Sequence, residues 1–248
     1  METKLNVSIL AHTTVFDDTY LPDQGAVLST FAAKQCYNST KFDIDTEKVQ
    51  AKNDKHYLNL LGKVTDSGHM SVLEHGSVTF LITGVSRALS HQLVRHRIAS
   101  YTQQSQRYTN MEEFNHVVPE SIKNNKQAYS LFKRTMVDLK EAYKELVELL
   151  EADKIKGAKE DARFVLPNAC ATQLVMTMNY RELGDFLGKR MCNRAQWEIR
   201  ELATEIYKLM NKYEPTLFGP NGVFKGPKCE NLGYCNEYNS CGRKAKNK

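Results

Sequence analysis

The sequence predicts an α+β fold on three observations. Short stretches alternate apolar and polar residues, longer ones repeat apolar residues at steps of three and four, and no internal repeat or low-complexity linker separates them. With 248 residues, 41% of them hydrophobic, the chain can bury one large core. "KLNVSIL" sets Leu5, Val7 and Ile9 against polar partners and is expected as a strand, as is "SVTFLITGV", where Val78, Phe80 and Ile82 oppose Thr79, Leu81 and Thr83. "SRALSHQLVRHR" can begin at a Ser86 cap and run as a helix. From 127 to 156, Tyr129, Phe132, Met136, Leu139, Tyr143, Leu146 and Leu150 form one apolar stripe, so a long amphipathic helix is expected. "ACATQLVMTMN" reads as a strand with Leu174, Met176 and Met178 on one face. Asn179 can cap the helix that follows, which carries Leu183, Phe186 and Leu187, and Ile199, Leu202, Ile206 and Leu209 mark a final helix. Pro215, Gly219, Pro220, Gly222, Gly226 and Pro227 then interrupt regular structure. The expected division is a domain over 1–222 and a loose, basic, cysteine-containing tail over 223–248.

Charge and cysteine content narrow the function. The net charge is +5, but Arg243, Lys244, Lys246 and Lys248 in "GRKAKNK" supply four of those charges, which leaves the body near neutral. A nucleic-acid polymer usually needs an extended basic stripe, whereas arginines gathered in one place suit small anionic ligands. No apolar run approaches the length of a membrane span and no secretory leader is evident, so a cytoplasmic protein with no membrane partner is expected. The six cysteines do not resemble a disulfide framework. Cys229, Cys235 and Cys241 recur every six residues, wider than the usual spacing of paired zinc ligands and one short of four. No metal site is therefore expected, and His69 and His75, six apart, do not make a helical zinc pair.

"RHRIASYTQQSQRY", residues 95–108, concentrates donors with little to bury. If the preceding helix continues, Gln92, Arg95 and His96 share a face and Arg97 points elsewhere; if it ends, the two arginines can converge. If the segment beyond is extended, Gln103, Ser105 and Arg107 form a row suited to a phosphate and a base edge. Taken alone these residues leave open a basic RNA-binding module, or a structural helical protein whose arginines only pair with acids. A flavin spectrum, salt-sensitive RNA retention or neither separates the three classes.

Arg95-His96-Arg97, followed by seven residues and Ser105, resembles the signature of flavin-dependent thymidylate synthases. "GHMSVLEH", "SRALSHQLVRHR", "ARFVLP", "NYRELGDFLGKR" and "AQWEIR" resemble the family's other blocks, in the same order, across residues 69–200. The resemblance implies a single domain with a central, mostly antiparallel sheet flanked by helices. It also implies a homotetramer with FAD at subunit interfaces, converting dUMP to dTMP with methylenetetrahydrofolate as carbon donor and NADPH as reductant. Carried over position by position, Ser71, Arg95, His96, Arg97, Gln103, Asn179, Tyr180, Arg181 and Asp185 would hold FAD. Gln92, Leu93, Val94, Arg95, Gln103, Gln104, Ser105, Gln106, Arg107, Arg163 and Arg190 would hold dUMP, and Arg190 would activate the uracil ring. The family often has Glu at Gln103, and Asn or His at Asp185. A folate-only thymidylate synthase needs a cysteine nucleophile among nucleotide-binding arginines; only Cys192, just past Arg190, comes near, and its context "KRMCNRAQ" resembles the flavin family's block.

Overall fold

The computed structural model describes residues 1–15, 23–39, 43–54 and 56–247. Strand β1 (Asn6–His12) leads to helices α1 (Gln24–Gln35), α2 (Ile44–Asn53) and α3 (Asn59–Asp66) and a 3-10 turn (Met70–Glu74). Next come β2 (Ser77–Ser86), α4 (Arg87–Leu93), β3 (Ser100–Gln103), α5 (Glu120–Lys123), the long α6 (Lys126–Ala152) and α7 (Ala158–Ala162). A second 3-10 turn (Arg163–Val165) precedes β4 (Ala171–Asn179), α8 (Tyr180–Arg190), α9 (Trp197–Tyr213) and the short α10 (Lys228–Leu232). The strands form one antiparallel sheet in the order β1-β2-β4-β3. The α+β class stands, and each strand and helix read from the sequence is present. Helices α1 to α3, the short helices α5, α7 and α10, and the short β3 are additions.

Local chemistry explains the main elements. In β2, Val78, Phe80 and Ile82 are buried while Thr79, Leu81 and Thr83 are partly exposed, the alternation a half-buried strand requires. Gly84 lies in this strand at φ 70°, and a Cβ there would run into the Lys4 carbonyl. Helix α4 starts on Ser86, whose Oγ accepts the Leu89 N–H at 3.0 Å. Helix α6 begins on Asn125, which accepts from Gln127 and Ala128, and buries Met136 and Tyr143 of the expected stripe together with Val147.

The chain folds as two compact units: Met1–Ser8 with Leu81–Arg95 and Tyr101–Met176, and Ile9–Phe80 with His96–Ser100 and Thr177–Lys248. The first has a core of Met111, Phe114, Met136, Tyr143, Val147, Ala162 and Cys170. In the second, α8 buries Leu183, Phe186 and Leu187, and α9 buries Ile199, Leu202, Ala203, Ile206 and Met210. The stretch from 223 on is not a loose tail. Phe224 stacks on Phe218 with ring centroids 5.3 Å apart, α10 follows, and Cys235 bridges to Lys246.

Candidate active site

In the second unit, α8 organises the expected residues. Asn179 caps it, its Oδ1 accepting the Glu182 N–H at 2.9 Å. Arg181 and Asp185 follow on the exposed side, ion-paired to Glu74 and Lys189 respectively. Both line a cavity of about 330 Å³ with Met70, Phe224 and Leu232. Ser71 is exposed in the 3-10 turn beside Met70. Tyr180, expected to touch a cofactor, is wholly buried: its ring packs edge-on against Phe218, its N–H donates to the Gly76 carbonyl and its hydroxyl donates to Glu214. Its place is in the core.

Arg190 ends the buried stripe of α8 and is half-buried. Its Nε donates to Nε2 of His96 at 3.0 Å. The His96 ring stands edge-on to Phe186, with centroids 5.0 Å apart. Burial, then the neighbouring Arg190 charge, pushes the His96 pKa down to about 4. His96 is therefore neutral at physiological pH and can accept through Nε2, which leaves the two terminal nitrogens of Arg190 for a ligand. Because Arg190 is a planar fork, one anchored nitrogen fixes the plane of the others.

In the first unit, α4 stops at Leu93 instead of continuing through the arginines. The Leu93 carbonyl accepts from the Tyr101 hydroxyl at 3.0 Å, which satisfies one of the open acceptors at the helix end. Leu93 itself is fully buried, so a substrate contact from its side chain does not hold, whereas Val94 and Arg95 are exposed. The helical face expected to unite Gln92, Arg95 and His96 is thus replaced by a turn. The extended row of Gln103, Ser105 and Arg107 is also corrected. β3 ends at Gln103 and the chain turns, the Ser105 Oγ accepting the Arg107 N–H and its carbonyl accepting the Thr109 N–H, both at 3.2 Å. Gln103 donates to Thr172 at 3.2 Å, and Gln106 donates to the Cys170 sulfur at 3.7 Å. Gln104 lies in the wall of a polar cavity of about 310 Å³ with Asn110 and Gln173.

Arg107 pairs with Glu160 at 2.7 Å, and Arg163 donates from Nε to the Glu160 carbonyl at 3.1 Å. Beside them is a residue the sequence reading passed over. Arg87 is half-buried, and burial first, partly offset by the Cys170 thiol and reinforced by the Arg163 charge, lowers its pKa. Among the described residues, none of Arg87, Arg95, Arg97, Arg163 and Arg190 has a carboxylate partner. Arg87, Arg163 and Arg190 are also half-buried, and a guanidinium partly withdrawn from water without an acid suits an anion. The local clue to Arg87 was its position in the first turn of α4, where a cation faces the positive end of the helix dipole.

The comparisons agree with this chemistry. The family model described as "Thymidylate synthase complementing protein" matches residues 18–216. A flavin-dependent thymidylate synthase of Nitratidesulfovibrio vulgaris is 42% identical, covering 97% of this chain and 96% of its own length. One from Geobacter sulfurreducens is 45% identical over 90% of both chains. The crystal structure of Thymidylate Synthase X from Helicobacter pylori, with FAD and dUMP, is 22% identical and shares the fold at a TM-score of 0.63, covering 88% of this chain and 99% of that one. By sequence over nearly its whole length, the chain belongs to the flavin-dependent thymidylate synthase family.

Proposed function

We propose that this chain is a cytoplasmic, homotetrameric thymidylate synthase that converts dUMP to dTMP, using methylenetetrahydrofolate as carbon donor and NADPH as reductant through FAD. The observation that carries the reading is the Arg190 guanidinium, anchored through Nε by a neutral His96 and, among the described residues, without a carboxylate partner. Making carbon 5 of uracil nucleophilic places negative charge on the ring, and a guanidinium can meet that charge without losing its proton.

The residues present fit FAD. A flat ring system joined to a pyrophosphate needs apolar walls and cations, and the cavity beside Arg181 and Asp185 offers Met70, Phe224 and Leu232 with Arg181, while Arg97 is exposed nearby in sequence to His96. Ser71, Arg95, His96, Arg97, Gln103, Asn179, Arg181 and Asp185 are the residues assigned to hold it. Bound FAD supplies the two-electron chemistry linking NADPH to the transferred carbon. Gln92, Ser105, Gln106, Arg107 and Arg163 are assigned to dUMP, with the arginines on its phosphate. Arg107 would exchange Glu160 for that phosphate. The exchange costs little for so exposed an ion pair.

The tetramer is supported by large apolar side chains left in water within these same segments: Ile98 is 62% exposed, Tyr108 78% and Phe164 83%. Tritium release from dUMP labelled at carbon 5 tests the reaction. It should require FAD, NADPH and methylenetetrahydrofolate together; absence of release with all three present refutes the activity. Light scattering tests the assembly, where a monomer mass at working concentration refutes the tetramer.

A further inference from the structure

Four of the six cysteines surround one cavity of about 210 Å³ in the second unit: Cys192, Cys229, Cys235 and Cys241. They come from separate places in the chain. Cys192 lies in the turn after α8, Cys229 in α10, Cys235 in the bridge to Lys246, and Cys241 beside a turn at Gly242, φ 87°. The sequence expectation of no metal rested on three thiols at a spacing of six. Folding supplies Cys192, more than thirty positions upstream, as a fourth.

We propose that these four cysteines form a tetrahedral thiolate site for one divalent zinc ion, tying the C-terminal segment to the end of α8. Three observations support it. The cavity is also lined by Lys189, Arg194, Lys228, Arg243 and Lys244. Four thiolates around a divalent ion carry a net charge of −2; Lys189, Arg194 and Lys244 are paired with Asp185, Glu237 and Glu230, which leaves Lys228 and Arg243 in the lining to offset it. A sulfur-directed donor is already in place: Asn193 Nδ2 points to Cys241 Sγ at 3.6 Å and is itself fixed by Arg243, which donates to its Oδ1 at 3.0 Å. Donors of this kind orient metal ligands. Finally, from 228 to 247 Cys235 alone is buried among the described residues, and α10 buries none. A segment this size without an apolar core needs a staple, and metal binding supplies folding free energy directly.

Among the described residues, no three His, Cys, Asp or Glu side chains stand ready-placed around one point. Closure therefore requires side-chain rotation into the cavity. Cys241 is exposed and Cys192 and Cys229 are only partly buried, so these three side chains are not locked into the core.

The test uses the full-length, FAD-loaded protein kept reduced. After dialysis against chelator-free buffer, elemental analysis should find about one zinc per chain. Metal-free protein titrated with Co²⁺ alone should develop a thiolate-to-cobalt charge-transfer band and the intense d–d bands of tetrahedral cobalt, saturating at about one per chain. Cys192→Ser and Cys241→Ser should each abolish stoichiometric binding, whereas Cys36→Ser, which alters an exposed cysteine outside the cavity, should retain it. Flavin content and circular dichroism report whether each variant folds, and the wild-type cobalt titration stands without them. A wild-type protein with no tetrahedral cobalt spectrum, a full metal complement in folded Cys192→Ser, or an iron–sulfur spectrum with acid-labile sulfide overturns the proposal.

Discussion

Replacing Arg190 tests the proposed chemistry most directly, because its partner predicts a second, smaller effect. Arg190→Ala removes the group assigned to the developing uracil charge. By comparison with loss of a single oxyanion donor, release of tritium from carbon 5 should fall by on the order of 10² to 10³. Arg190→Lys keeps the charge but loses both the planar fork and the Nε bond to His96, and should fall nearly as far. His96→Ala leaves the guanidinium in place and removes its anchor, together with a residue assigned to hold FAD. A hydrogen bond to a charged group contributes about 1.5–3 kcal/mol, so at saturating FAD kcat/KM should drop roughly 10- to 150-fold. The pH profile adds a constraint. His96 titrates near 4 when folded, against 6.5 as a free side chain, so it favours the neutral folded form. Its contribution is fully present above pH 6.5 and is lost as pH falls through 4. The acid limb that His96 imposes on kcat/KM should therefore lie near pH 4. Single-turnover tritium release across pH, with FAD binding measured in parallel, decides the matter. Near wild-type turnover in Arg190→Ala, a defect confined to flavin binding, or an acid limb at 6.5 that vanishes in His96→Ala would each refute the reasoning.

Glu214 is almost wholly buried, accepting from Gly25 and Ala26 at the start of α1 and from Tyr180, yet desolvation pushes its pKa up to about 7 from 4.5. A raised carboxyl stabilises the fold below pH 4.5 and loses that contribution as pH rises through 7. In urea unfolding, the wild type should therefore lose about 3 kcal/mol relative to Glu214→Gln over that range, and a difference that instead grows with pH would show the carboxylate held ionised. Gly184→Ala would drive a methyl into the Phe224 ring, so a cost of about 1–3 kcal/mol and weaker FAD binding are expected, measured by urea midpoint and flavin titration; unchanged values of both would show that Phe224 yields freely. Ser105→Ala should weaken dUMP binding by about 1–2 kcal/mol while leaving measurable turnover, and complete inactivity with unchanged affinity and normal flavin reduction would point to a covalent role.

Elements whose own residues carry a polarity pattern were legible in the sequence. β2 and β4 alternate at period two, and α6, α8 and α9 each show a stripe, because each buries one face. Helix α1 does not. It buries Gln24, Ser29 and Thr30 along with Ala26 and Val27, and the serine and threonine hydroxyls are satisfied by donating to carbonyls four residues back. Its inward and outward faces look alike. The RHR segment failed for a different reason: what closes α4 is the Tyr101 hydroxyl on the Leu93 carbonyl, a contact from β3 with no local stop residue to announce it. The side chains assigned to the site were found by resemblance. Their partners, Glu160 for Arg107 and His96 for Arg190, came only with tertiary contacts.

Helix α8 links these observations physically. At about 1.5 Å per residue, Arg181 and Arg190 stand roughly 13 to 14 Å apart along its axis. Arg181, Asp185 and Lys189 recur at steps of four on the exposed side, while Leu183, Phe186 and Leu187 lock the other side into the core and bring Arg190 to His96. The residues assigned to the flavin and the residue assigned to uracil activation are thus held at a fixed separation by one rigid element. Its two ends are fastened differently: Asn179 caps the start, and the turn at Cys192 leads into the thiol cavity just beyond the end. Motion at the C-terminal end would displace Arg190 before it reached Arg181, because the buried stripe lies between them. Leu232 of α10, three residues from Cys229, also walls the cavity assigned to the flavin, so loosening the cysteine segment should impair uracil activation and flavin retention together.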